Sequence, residues 1–262
     1  MAFEMILLKK EEAVGTIVLN RPKALNPVNN RTAQEISAAL QELKADPNIR
    51  SVILTGAGKA FSAGGDIREI ENYTPHEAMK FRDFMLVIKK MILDIRNTPK
   101  PVITAVNGLA YGVGFSLALS GDIVLASESA SFCQVFVKIG LVPDGGSTFF
   151  LPRLIGFARA FPLVFSGDPI NAKEALALGL VSKVVPPENL GAEALTWAKK
   201  LAQGPTRAMG LAKELMYAGM ERTLSEQLDE EAGVQCLCRL TRDHQEGLQA
   251  FHEKRAAKFE GR

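Results

Sequence analysis

Apolar residues follow two rhythms along the chain. Short runs with strand character occur at residues 13–20 ("AVGTIVLN", ending at a proline-marked loop), 51–56 ("SVILTG"), 102–106, 122–127 ("DIVLAS") and 183–186 ("KVVP"). A run such as 51–56, apolar without interruption, is the kind of strand that is buried on both faces. Elsewhere the spacing changes to three and four. Ile36, Leu40 and Leu43 predict a helix over 32–43, stopped by Asp46-Pro47. Phe81, Phe84, Met85, Ile88, Ile92 and Ile95 predict a long amphipathic helix over 76–97. From about Pro143 onward the pattern is mostly helical, apart from residues 183–186. The tail has few Gly or Pro and many paired charges. Strands alternating with helices give an α/β class, with a core over 1–200 and a helical C-terminal region over 201–262.

Residues 101–121, "PVITAVNGLAYGVGFSLALSG", carry no charge and are long enough to span a bilayer. The run opens with β-branched residues after a proline, passes through Asn-Gly, and only then becomes rich in Leu and Ala. That order predicts a buried strand, a Gly-rich turn and a buried helix rather than a membrane span. Residues 56–67, "GAGKAFSAGGDI", form a second Gly-containing loop after a strand. Helix starts present unpaired N–H groups and the positive end of a dipole, so such loops suit anions and developing oxyanions.

Composition narrows the function classes. The 262 residues are 47% hydrophobic and 23% charged, with a formal net charge of +2, ordinary for a globular chain. There is no basic stripe interleaved with aromatics, so no nucleic-acid partner is expected. Cys133, Cys236 and Cys238 fit neither a disulfide framework nor a zinc site, and His76, His244 and His252 lack ligand spacing, so no metal is expected. The opening "MAFEMILLKKEE" is too short in its apolar part and too acidic afterwards for a secretory signal. A reducing, cytoplasmic setting is the expectation.

Familiar motifs fail on spacing. "GAGKAFSAGGD" lacks the G-x4-G-K-[ST] of a P-loop, and "GVGFSL" lacks the third glycine of a dinucleotide fingerprint. "GFSLA" (114–118) is one residue short of a nucleophile elbow; it would make Ser116 a nucleophile, with Asp144 and then His244 or His252 as partners. Against that stand the Ala- and Leu-rich run around the serine and the absence of an HGGG-like loop before it. Asp144 lies in "KIGLVPDGGSTFF" (138–150), where an aspartate is ordinarily a turn former.

Taken together, the loops at 56–67 and 105–127 closely resemble the two signature segments of the crotonase (enoyl-CoA hydratase/isomerase) family. The segments "LNRPKALN" (19–26), "LVPDGGST" followed by "LPRLIG" (141–156), "ALALGLVSKVVP" (175–186) and "EGLQAFHEKRAAKF" (246–259) resemble it in the same order. The resemblance implies a spiral of ββα turns closed by C-terminal helices that contribute to a trimer or a dimer of trimers. It implies an acyl-CoA substrate, and no cofactor apart from the coenzyme A that enters within the thioester. Each loop would give one backbone N–H to an oxyanion hole, here those of Gly65 and Val113. Such fixed donors stabilise the enolate of a thioester, and losing one costs about 3–4 kcal/mol of barrier.

The family's hydratases use two glutamates, at the positions matched by Ser116 and Phe136. Both carboxylates are missing here. Its isomerases often place one acid at the position of Asp144, and one base suffices to move a proton from C2 to C4 of a 3-enoyl thioester. Isomerisation with Asp144 as acid and base is therefore expected, with atypical hydration as the alternative and a non-catalytic thioester binder more remote. Phe136, Phe149 and Phe150 would exclude water, and desolvation would raise the acid's pKa. The alternative role for Asp144 is a cap for a helix starting near Gly145. Tyr111 and Glu69 are lesser candidates, and Asp66 is expected to cap a short helix over 67–72. By the same resemblance, Lys23, Ala24, Ala60, Ala63, Asp66 and Ile67 surround the coenzyme. Gly112, Ser116 and Phe136 lie near the acyl group, and Phe251 and Lys254 reach a neighbouring subunit's ligand.

Overall fold

The structure is a computed structural model that describes residues 3–71 and 73–262. In chain order the strands and helices are β1 (Ile6–Glu11), β2 (Val14–Leu19), α1 (Asn30–Ala45), β3 (Ser51–Gly56), β4 (Ala60–Ser62), α2 (Ile67–Ile70), α3 (Ala78–Arg96) and β5 (Val102–Val106). There follow β6 (Leu109–Tyr111), α4 (Val113–Leu119), β7 (Ile123–Ser127), β8 (Ser131–Cys133), α5 (Ser147–Ile155), α6 (Phe157–Ser166), β9 (Ile170–Asn171), α7 (Ala172–Ala177) and β10 (Lys183–Val185). The chain ends in α8 (Leu190–Ala202), α9 (Thr206–Ala218), α10 (Leu224–Arg239) and α11 (Arg242–Glu253).

Two sheets result. The larger has the order β1-β2-β3-β5-β7-β10, antiparallel only between β1 and β2. The smaller has the order β4-β6-β8-β9, antiparallel only between β8 and β9. Each turn of the chain lays one strand in each sheet before a helix returns it: β3 then β4, β5 then β6, β7 then β8. This is the ββα spiral.

The uninterrupted apolar runs follow from burial on both faces. In β3, Val52 and Leu54 join the core that includes α1 and α3, whereas Ile53 faces a second cluster with Ala194 and Ala198 of α8. The strands missed by periodicity are β1, β4, β6, β8 and β9. In β1 only Ile6 is buried, so no alternation marks it, and the others are two or three residues long. Helix α1 begins before its apolar positions do because Asn29 caps it, its side chain accepting the Thr32 N–H at 2.8 Å. Lys100 closes the other end, its Nζ donating to the carbonyls of Leu43 (2.5 Å) and Asp46 (2.7 Å), a favourable place for a cation. The uncharged run 101–121 becomes β5, β6 and α4, and among the described residues no helix is long and apolar enough to cross a membrane. The short helix expected after Asp66 is α2, and the expected end at Asn72 lies outside the described residues.

Candidate active site

Three segments that are distant in sequence meet where the spiral turns. In the first loop Val28 pairs in parallel with Gly65: its N–H donates to Gly64 O (2.7 Å) and its carbonyl accepts from the Asp66 N–H (3.0 Å). A residue held between two such bonds points its own N–H the opposite way. The Gly65 N–H is thereby left without an acceptor among the described residues. In the second loop Val113 opens α4, so its N–H has no intrahelical acceptor, while Gly112 N–H is engaged by Cys133 O at 2.9 Å.

The two loops touch back to back. Gly64 has φ +104° and Gly112 φ +51°; a Cβ on Gly64 would lie 2.9 Å from Tyr111 O and 3.7 Å from Gly112 Cα. Neither site tolerates a side chain, which is why the paired glycines are needed. The third segment is the Asp144 turn. A Cβ on its neighbour Gly145 would come within 3.0 Å of Val113 Cγ2, so the turn rests on the second loop.

Asp144 lies in the wall of a cleft of about 630 Å³ formed by α3, this turn, α5 and α9. The wall is chiefly apolar: Phe81, Met85, Ile88 and Ile92 on α3, with Phe149 and Phe150 on α5. No hydrogen bond to the Asp144 carboxyl is found among the described residues, and Oδ1 is buried without a partner. Desolvation therefore raises its pKa from 3.8 to about 6. The capping role fails: α5 begins at Ser147, its N-cap is Gly146, and no side chain caps it.

What holds the turn is a buried relay that the sequence did not signal. Ser116 Oγ donates to the main-chain carbonyl of Asp144 (2.7 Å), Ser147 Oγ lies 2.6 Å from Ser116 Oγ, and Gln134 Nε2 donates to Ser147 Oγ (2.8 Å). Ser116, expected near the acyl group, is fully buried, with its hydroxyl engaged in this relay. No histidine is among its hydrogen-bond partners, and the nucleophile-elbow reading falls with that. Phe136 packs under the second loop, its Cζ 3.6 Å from a Cβ on Gly112, and is not in the cleft wall. Phe149 and Phe150 are.

The other expected contacts divide. Ala60, Ala63 and Asp66 are tied to the 21–26 turn that carries Lys23 and Ala24. Asn26 Nδ2 donates to Ala60 O (2.8 Å), Ala63 N–H to Leu25 O (2.9 Å), and Arg21 pairs with Asp66 at 2.7 Å. Lys23, Ala24 and Ile67 are exposed beside them. Asp66 also caps α2, accepting from the Arg68 N–H at 3.3 Å. Glu69 accepts from Asn30 N–H (2.9 Å) and Tyr111 Oη meets Ser131 Oγ (3.1 Å), so both are engaged elsewhere. Phe251 and Lys254, at the end of α11, are exposed and line no part of the Asp144 cleft. Among the described residues no cluster of His, Cys, Asp and Glu is suited to a metal.

Behind the cleft lies a second polar group that periodicity hides. The Asp122 carboxylate accepts from Val102 N–H (2.8 Å), from Lys213 Nζ (2.9 Å) and from the Tyr217 hydroxyl. The Arg96 guanidinium lies 3.2 Å from the Tyr217 ring centroid and 5.1 Å from that of Phe150. Burial raises the Tyr217 pKa, reinforced by Asp122, and lowers that of Lys213.

Comparison with known proteins agrees with this architecture. The family described as enoyl-CoA hydratase/isomerase matches residues 9–262. The chain is 39% identical to a 1,2-epoxyphenylacetyl-CoA isomerase of Escherichia coli over 99% of both chains. It is 40% identical to a crotonyl-CoA hydratase of Syntrophomonas wolfei, again over 99% of both. A solved enoyl-CoA hydratase from Bacillus anthracis superposes with a TM-score of 0.94 at 36% identity, covering 99% of this chain and all of that one. With the spiral fold, the paired glycine loops and this full-length similarity, the chain belongs to the enoyl-CoA hydratase/isomerase family of crotonase-fold enzymes.

Proposed function

We propose that the protein isomerises 3-enoyl-CoA thioesters to the conjugated 2-enoyl thioesters, with Asp144 as the one proton carrier. The carboxylate takes a proton from C2, and the electron pair moves through the carbonyl to give a dienolate. The dienolate oxygen accepts hydrogen bonds from the N–H groups of Gly65 and Val113. The same carboxyl returns its proton to C4, so the proton count is unchanged and no other reactant is consumed. The observation that carries the reading is a carboxyl without polar partners in an apolar cleft, its pKa raised to about 6. A base near that value is ionised at neutral pH yet acidic enough to give the proton back.

Two further points support it. The positions matched by the hydratases' glutamates hold Ser116 and Phe136, neither of which can exchange a proton with water here. The E. coli relative is named an isomerase. The S. wolfei relative, named a hydratase, favours hydration as the second reading. Lys23, Ala24, Ala60, Ala63, Asp66 and Ile67 would hold the coenzyme moiety, and no other cofactor is required. We further propose a trimer or dimer of trimers in a reducing compartment. Exposed Leu224, Leu228 and Leu240 on and beside α10, and Phe251 on α11, offer apolar surface for assembly, and the three cysteines are unpaired. Light scattering of the purified protein measures the assembly directly.

The test of the chemistry is a pair of spectrophotometric assays on the wild type and Asp144→Asn. One follows appearance of the conjugated thioester from a trans-3-enoyl-CoA; the other follows loss of a 2-enoyl-CoA in water. Isomerisation that vanishes in the variant supports the reading. Hydration that survives in the variant overturns it.

A further inference from the structure

We propose that Arg96 recognises a carboxylate at the far end of the acyl group, so that the preferred substrates are acyl thioesters of dicarboxylic acids. The inference rests on the cleft being the acyl site of the proposed function; it does not require isomerisation. Arg96 is the last residue of α3 and lines the same cleft as Asp144. It is half-buried, and no acceptor or ion-pair partner for its guanidinium is found among the described residues.

The nearby Asp122 favours its charge through space but makes no ion pair with it. Asp122 is already occupied by Lys213 at 2.9 Å, by the Val102 N–H and by Tyr217. Lys89 and Glu221 also line the cleft, but both are exposed, and Glu221 makes no ion pair with Arg96. A guanidinium taken partly out of water without a partner is costly, because burial weakens its hydration and nothing replaces it. Its aromatic contacts, the Tyr217 ring at 3.2 Å and the Phe150 ring at 5.1 Å, offer no lone-pair acceptor in place of water, so the N–H edge of the guanidinium is left without one. An edge of that kind matches a carboxylate bidentately.

Position supports the same assignment. Phe150, the ring beside Arg96, packs on Gly146, where a Cβ would lie 2.9 Å from Phe150 Cε2. Gly146 is two residues from Asp144, at most about 7 Å of chain. Arg96 and Asp144 therefore line one cleft, with the Phe150 ring in contact with both Arg96 and the turn that carries Asp144. An acyl chain with C2 at Asp144 would run past the apolar side chains of α3 and α5 towards Arg96.

Saturated ligands test this without any chemistry. Calorimetric titration compares adipoyl-CoA with hexanoyl-CoA, and suberoyl-CoA with octanoyl-CoA, on the wild type, Arg96→Met and Arg96→Lys. The wild type is expected to bind at least one dicarboxylic member about tenfold or more tighter than its monocarboxylic counterpart. Arg96→Met removes that ratio, and Arg96→Lys keeps part of it. Equal or weaker binding of both dicarboxylic probes to the wild type overturns the proposal, even if the methionine variant fails to fold. So does a preference that survives in Arg96→Met. Because these probes have no double bond, a failure of the isomerase reading appears only in the Asp144→Asn assays.

Discussion

The uncompensated burial of Asp144 makes Asp144→Asn a stability experiment as well as a kinetic one. In the folded protein the carboxyl pKa is raised from 3.8 to about 6. A raised carboxyl pKa means that the unfolded chain ionises more readily, so the folded state is penalised once the pH exceeds the unfolded value. The penalty is absent well below pH 4, grows between about pH 4 and 6, and is constant above. It amounts to roughly 3 kcal/mol at pH 8 and about 1 kcal/mol at pH 4.5. Asparagine brings its own cost of burying an amide, but that cost does not change with pH. The diagnostic is therefore how the variant's stability relative to wild type moves between the two pH values, about 2 kcal/mol in the variant's favour on going to pH 8. Urea denaturation followed by tryptophan fluorescence and circular dichroism at each pH measures it, with both proteins at one concentration. A difference independent of pH refutes the desolvated carboxylate. A relative loss on going to pH 8 would mean that an unseen partner stabilises the charge.

With the deprotonated carboxyl as the proposed base, kcat/KM for the 3-enoyl substrate should rise through about pH 6 and level off; a profile flat from pH 5 to 8 contradicts that assignment. Gly64→Ala sets a Cβ 2.9 Å from Tyr111 O at a φ of +104°, which displaces the adjoining Gly65 N–H. The expected result is a loss of about 10²–10³-fold in kcat, with binding of a saturated acyl-CoA much less affected. Ser116→Ala cuts the relay to the Asp144 carbonyl and should cost about 1–3 kcal/mol of stability. It should also lower kcat more than it changes KM, since the turn is loosened rather than the ligand contacts; an unchanged kcat would reduce the relay to a purely structural role.

The central strands were legible because burial on both faces leaves an uninterrupted apolar run, as Val52, Ile53 and Leu54 show. The smaller sheet was not, since β4, β6 and β8 are three residues long and lie in or beside the Gly-rich loops. The long helix was found, but its apolar stripe conceals two jobs. Phe84, Met91 and Ile95 fill the core, whereas Phe81 and Met85 are half-buried and line the cleft. Asp144 and the two glycine loops stood out by their resemblance to a family. Gln134 and Ser147 did not, because a hydroxyl or amide within an apolar segment has no spacing that distinguishes a relay from ordinary packing. Arg96 was hidden for a different reason. A basic residue in the last turn of a helix is favourable anyway, so its other property, the lack of an acceptor, becomes visible only when α9 and α5 pack around it.

The two residues that replace the hydratases' glutamates act on Asp144 in complementary ways. A carboxylate at position 116 would have no proton to donate to the Asp144 main-chain carbonyl and would add a charge beside the turn. Serine instead spends its hydroxyl on that carbonyl and adds no charge. Phenylalanine at 136 packs beneath Gly112 and likewise adds no charge. Desolvation is then what sets the Asp144 pKa, with no neighbouring charge shifting it. A group so isolated is suited to taking a proton from the substrate and returning it there, and poorly suited to activating water. On the proposed function, the missing second carboxylate is thus part of what fits the first one for isomerisation.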